Sequence, residues 1–194
     1  MKHYFLSIPI LAMLIFLSCK KDPVSPVTTG FFPMEVGNIW HYESHPNSFS
    51  HAEMTVEIVG TRVIDDNTYF IFETTYPGTD QSDERYFRLG ENGKIFINWQ
   101  GEEFLYIDFN RDINDAWNSW ADYVGVIQEK EKTLEVPAGR FTNTTQVFFD
   151  IGMIADEEFC ETYANGVGKL DISCVFGIPM QLTAAKISGV TISN

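Results

Sequence analysis

The chain has 194 residues, with 13 Lys and Arg against 27 Asp and Glu, a formal charge of −14. That length suits one domain with its own core, and a 44% hydrophobic content is too high for a disordered chain. So acidic a balance excludes a phosphate-backbone binder, which needs clustered Lys and Arg, and it argues against electrostatic docking on anionic lipid.

Residues 1–18 read as a targeting segment. Lys2 supplies a positive start, and the apolar run from Phe5 to Leu17 is 13 residues long. A membrane-spanning helix needs about 20, so the run is a signal peptide rather than a span. It ends in Phe16-Leu17-Ser18-Cys19, which resembles the lipobox of bacterial lipoproteins. Phe16 and Leu17 depart from the Leu and the smaller residue usual at those places. The resemblance implies that Cys19 carries the lipid anchor, palmitate included, and becomes the first mature residue. The alternatives are an ordinary secretory signal with an incidental cysteine, or an uncleaved anchor. Residues 19–30 hold two prolines and several hydroxyl side chains without an aliphatic pattern, and read as a solvated tether. Its reach is at most about 40 Å. Only Asp22 follows two lysines, so both the inner face of the outer membrane and the cell surface stay open as addresses. Removing residues 1–18 takes away Lys2 alone among the charges, leaving 176 residues and a net charge of −15.

From Phe31 the periodicity is two. Ala52, Met54, Val56 and Ile58 alternate with Glu53, Thr55 and Glu57, the pattern of a half-buried strand. Asp65-Asp66-Asn67 turns the chain into the aromatic and β-branched run Thr68–Tyr76, and Pro77-Gly78-Thr79-Asp80 breaks it again. Strands are expected over Glu84–Leu89, Lys94–Gln100 and Glu103–Phe109, then a loop over 110–122. Further strands are expected over Tyr123–Val136, Phe141–Ile151, Glu157–Tyr163, Val167–Val175 and Gln181–Ile192. Turn residues recur every eight to ten positions and no segment offers a twelve-residue amphipathic helix. The fold class is therefore all-β. Residues 31–194 form a single domain, an antiparallel meander of roughly ten strands in a curved sheet or barrel.

Three segments resemble motifs of a group of bacterial exported proteins and lipoproteins. Phe32-Pro33-Met34-Glu35-Val36-Gly37-Asn38-Ile39-Trp40-His41-Tyr42 is similar to an opening P-L-x-x-G-N-x-W-x-Y. Val136-Pro137-Ala138-Gly139-Arg140-Phe141 resembles a later V-P-A-G-x-F, and Gly166-Val167-Gly168 a closing G-V-G. The resemblance implies export and a β architecture. That group has no characterised function, so no catalytic residue is carried across. In physical terms Gly37-Asn38 suits a turn, and Trp40 and Tyr42 share one strand face, suited to anchoring the core.

The candidate chemistry is sparse. Cys160 and Cys174 flank the Asn165–Gly168 turn; paired across it they would be centred on Val167, and an exported domain permits a disulfide. A one-residue change of register would leave two free thiols on separate faces. Asp108-Phe109-Asn110-Arg111-Asp112-Ile113-Asn114 has oxygen ligands at alternate positions like a calcium loop. Ile113 stands where the sharp turn needs Gly, however, and Ser119 where a Glu should close the site, so a polar loop is expected. His41, His45 and His51 fall within eleven residues without cysteine or paired carboxylates at ligand spacing, and are read as surface side chains. Trp117, Trp120 and Tyr123, beside Asp115 and Asp122, suit either sugar stacking or the core, with burial favouring the core. There is no G-x-S-x-G, P-loop, G-x-G-x-x-G or H-E-x-x-H.

No catalytic residue, metal site or cofactor is assigned, and no nucleic-acid partner is expected. The function expected is that of a non-enzymatic, lipid-anchored envelope domain binding an apolar or glycan ligand or a protein partner. Its rivals are an envelope hydrolase using carboxylates of the 108–122 loop, and a structural accessory subunit of an outer-membrane complex.

Overall fold

The structure is a computed structural model, and it describes residues 30–152, 157–174 and 177–194. Cys19, the expected leader and all of the expected tether except Gly30 lie outside those residues.

Six strands make the first half of the domain: β1 (Ile39–Ser44), β2 (Glu53–Ile64), β3 (Asn67–Thr75), β4 (Ser82–Leu89), β5 (Lys94–Trp99) and β6 (Glu102–Asp108). Seven follow: β7 (Ala116–Asn118), β8 (Val124–Val136), β9 (Gly139–Asp150), β10 (Phe159–Ala164), β11 (Gly168–Cys174), β12 (Met180–Ile187) and β13 (Val190–Ser193). All thirteen belong to one antiparallel sheet, ordered β6-β5-β4-β3-β2-β1-β12-β11-β10-β9-β8-β7, with β13 added beside β12. The all-β meander is as the alternation predicts. Two short elements go beyond it. The loop expected over 110–122 contains β7, and the last expected strand splits at Ser188-Gly189, both at positive φ, into β12 and β13.

The order of the strands explains the shape. Neighbours in sequence are neighbours in the sheet, except that the first strand pairs with the twelfth and β6 does not pair with β7. The meander thus zips its two ends together and leaves its seam in mid-chain. That seam is bridged by side chains. A bulge opposite Ile95–Phe96 takes Tyr106 out of the β5–β6 ladder, and its carbonyl accepts from Trp117 Nε1 and Ser119 Oγ, each at 3.1 Å. The Trp117 ring lies over Gly125, its partner on β8, where a Cβ would come within 2.4 Å of the ring. Tyr106 and Phe149 stack across the interior at 5.5 Å. The sheet therefore closes nearly into a barrel, and few edges remain open.

The three motif segments meet in this frame. Asn38 Nδ2 donates to Pro33 O while its Oδ1 accepts from Ser188 N at 2.8 Å, so one amide ties the entry turn to the turn between β12 and β13. Trp40 Nε1 donates to Val167 O at 2.7 Å, and Tyr42 O–H donates to Lys169 O at 3.0 Å. Gly168 has φ +97°, and a Cβ there would press on Trp40 and Pro33 at 3.2 and 3.4 Å. Pro137-Ala138 forms the β8–β9 turn, and Ala138 N donates to Leu182 O on β12, next to β1. The motifs are the bolts of the β1–β12 closure.

Candidate functional site: an aromatic cavity with a charged wall

Inward positions alternate along the strands between bulges, and many of them are aromatic. They do not fill it. A cavity of about 490 Å³ lies between the two halves of the sheet. Phe32, from the segment before β1, reaches into it and packs on Phe72, Phe87 and Tyr163 at centroid distances of 5.4 to 5.8 Å. Trp120 and Tyr123 stack at 4.7 Å on the opposite wall, with Phe159 edge-on to both. The exposed Tyr76 and Asp83 also belong to the lining, so the cavity reaches solvent at that end.

Two charged pairs interrupt the apolar surface. Glu161 follows Phe159 and precedes Tyr163 on the inner face of β10, and is only 3% exposed. Its Oε1 receives Lys169 Nζ at 2.5 Å, and its Oε2 accepts from Tyr106 at 2.7 Å and from Tyr163. Burial pushes the carboxyl up, but Lys169 and the two hydroxyls outweigh it and hold Glu161 below the ordinary carboxylate range. Burial, and then the charge of Glu161, raise Tyr106, Tyr163 and Tyr42 far above ordinary phenols. Arg85 shares the inner face of β4 with Phe87, and its Nε donates to Asp83 Oδ2 at 3.1 Å.

The residues singled out in the sequence are dispersed around this site. Of the two arrangements open to Cys160 and Cys174, the structure has two free thiols and not the possible disulfide. Cys160 pairs with Ser173 and Cys174 with Phe159, because the hairpin turns about Gly166 rather than Val167, and the bulge at Leu170 opposite Thr162–Tyr163 recovers only one residue of that offset. Alternation then sends the two side chains to opposite faces. Burial raises both thiols, which disfavours the reactive thiolate. Asp108 accepts from Asn110 N and pairs with Arg111, and Asp115 accepts from Asp112 N, so the 108–122 carboxylates brace their own loop. They do not line the cavity. His41, His45 and His51 go to three partners, Thr55, Asp171 and Glu53. No group of three or more metal-ligating side chains occurs among the described residues. Trp117 and Trp120 are buried, Trp117 at the seam and Trp120 in the cavity wall.

Glu161, Lys169 and Arg85 were not foreseen. A signal existed for the first, since Glu161 sits in phase with Phe159 and Tyr163 on an otherwise aromatic face. Lys169 had none, because the bulge that turns it inward is invisible in the alternation.

No family model matches the chain, and no curated protein does. Among solved structures it is similar to a predicted exported protein of Bacteroides fragilis with a YmcC-like fold. The two share 12% identity, with a TM-score of 0.49 over 80% of this chain and 98% of that one. A predicted lipoprotein of Parabacteroides distasonis aligns at 13% identity and a TM-score of 0.39, over 78% and 95% of the two chains.

Proposed function

We propose that the chain is a lipid-anchored domain of the bacterial envelope that holds a small apolar or amphipathic molecule in its barrel without altering it chemically. One observation carries the binding role. Protein interiors are packed nearly as densely as organic crystals, with few voids larger than a water molecule. A gap of about 490 Å³ walled by aromatic rings and open at one end is instead the size and character of a ligand site. The lining favours an apolar guest over a glycan, because aromatic and aliphatic side chains make up most of it and its charged groups are two ion pairs. The two carboxylates on the lining are each held by a cation, Glu161 by Lys169 and Asp83 by Arg85. That supports a holding role over general acid–base catalysis, which requires a carboxyl free to exchange its proton.

The address is supported by the leader and by Cys19. The outer membrane is the proposed site of anchoring, with the domain facing either the periplasm or the medium. A Cys19→Ser variant is expected in the soluble fraction, and its retention in the membrane would overturn the anchor. For the cavity, N-phenylnaphthylamine serves as an uncharged apolar fluorophore. Trp40, Trp99 and Trp120 line the site, so binding is expected as saturable energy transfer at one probe per chain. Absence of saturable binding would overturn the holding role.

A further inference from the structure

We infer that the molecule held is an anionic amphiphile, a long-chain carboxylate, and that Arg85 selects its head group; this rests on the carrier role proposed above. The unspent hydrogen bonds on the cavity wall point to that head group. Glu161 has none to offer, because its two oxygens already accept from Lys169, Tyr106 and Tyr163. Asp83 takes Arg85 Nε and, half exposed at the mouth, keeps its remaining capacity in water. The donors are different. Arg85 spends only Nε, and its two terminal nitrogens have no partner among the described residues. Lys169 spends one of its three N–H groups. The indole N–H groups of Trp99 and Trp120, both on the lining, likewise have no partner among the described residues. The charged groups and indoles of the wall thus have only donation left to offer, two of these donors being cations, while the Thr74, Tyr76 and Tyr123 hydroxyls can donate or accept.

These donors face the cavity, and the Arg85 side chain is 40% exposed, so water meets them while the cavity is open. A guest that displaces that water without bringing acceptors leaves them unpaired at about 1–3 kcal/mol each, which favours an occupant that brings acceptors. A carboxylate brings only acceptors, and its two oxygens match the guanidinium fork in a bidentate pair. A hydrocarbon would leave the donors dry, and an ammonium would face two cations with no free carboxylate. The rest of the wall is suited to the tail: Phe32, Phe72, Phe87, Trp120 and Phe159 offer ring faces and no competing acceptor. The donor surplus runs against the charge of the chain as a whole, which is strongly acidic. It is therefore a property of this site and not of the general composition.

The test compares cis-parinaric acid, a fluorescent polyene carboxylate, with its uncharged methyl ester. The acid is expected to bind the wild-type chain at least tenfold more tightly than the ester at neutral pH and low salt. Arg85→Gln is expected to weaken the acid about tenfold, to the level of the ester, and to leave the ester unchanged. Arg85→Lys keeps the charge without the fork and is expected to fall between. Ester binding reports that each variant is folded with its cavity intact. Equal binding of acid and ester by the wild type would overturn the head-group assignment, as would an equal loss of both in Arg85→Gln. If neither binds while N-phenylnaphthylamine still saturates, the carboxylate is wrong and the carrier role survives. If none of the three binds, both fail.

Discussion

At the scale of single residues, the buried Glu161 and its three donors are the point of highest stakes. An ion pair taken out of water contributes little by itself, but removing one partner leaves an uncompensated charge. Lys169→Met is therefore expected to destabilise the domain by about 3–5 kcal/mol, read as a shift in the urea midpoint, whereas Glu161→Gln with Lys169→Met together restores much of the loss. The neighbouring phenols give a signature in pH. Their folded-state values are raised, so their contribution is fully present below the ordinary phenol range and is lost as pH rises above it. An ultraviolet absorbance titration should leave Tyr42, Tyr106 and Tyr163 silent until alkaline unfolding releases them. Glu161 acts in the opposite direction: its lowered value adds stability above the ordinary carboxylate range, and this is lost as acidification protonates it. Trp40 and Tyr42 were legible as core anchors from their spacing alone. Arg85 was not, since an arginine in Asp83-Glu84-Arg85-Tyr86-Phe87 has the look of a solvated face until the phase of β4 is fixed by Phe87.

At the scale of elements, the outcome turned on register. The alternation and the turn residues located eleven of the strands closely, because period-two patterning and Gly, Pro, Asn and Asp clusters are local signals. Register is not local. The turn centred on Gly166, one residue before Val167, offsets Cys174 from Cys160. The extra residue Leu170 recovers only part of that offset, so Cys174 faces Phe159 and the two thiols stay separate. Alkylation of the denatured, unreduced protein is expected to label both Cys160 and Cys174. A mass two hydrogens lighter, with no label on either, would contradict the register. The same hairpin carries Gly168 against Trp40. Gly168→Ala meets both a positive φ and a crowded Cβ site, and should lower stability by more than about 1 kcal/mol with the fold retained.

At the scale of the whole molecule, a meander that joins its ends through β1 and β12 moves its weakest line to the middle of the chain. Among the described residues that line has no strand ladder and is bridged by side chains, with Trp117 and Ser119 donating to the Tyr106 carbonyl. Hydrogen exchange should therefore show β6 and β7 opening before the β1–β12 pair, and Trp117→Ala should widen the difference. The same closure encloses the cavity, so the holding role depends on the architecture and not on one motif. Met54, half-buried on the lining, is where an added ring fills that space without disturbing the charged wall: Met54→Trp is expected to keep the fold and exclude the guest. Native mass spectrometry of the chain released in detergent from the membranes of its own host is the most direct measurement. One small molecule per chain, shed at higher collision energy and missing from Met54→Trp, is the predicted result; an empty wild-type chain indistinguishable from the variant would contradict it.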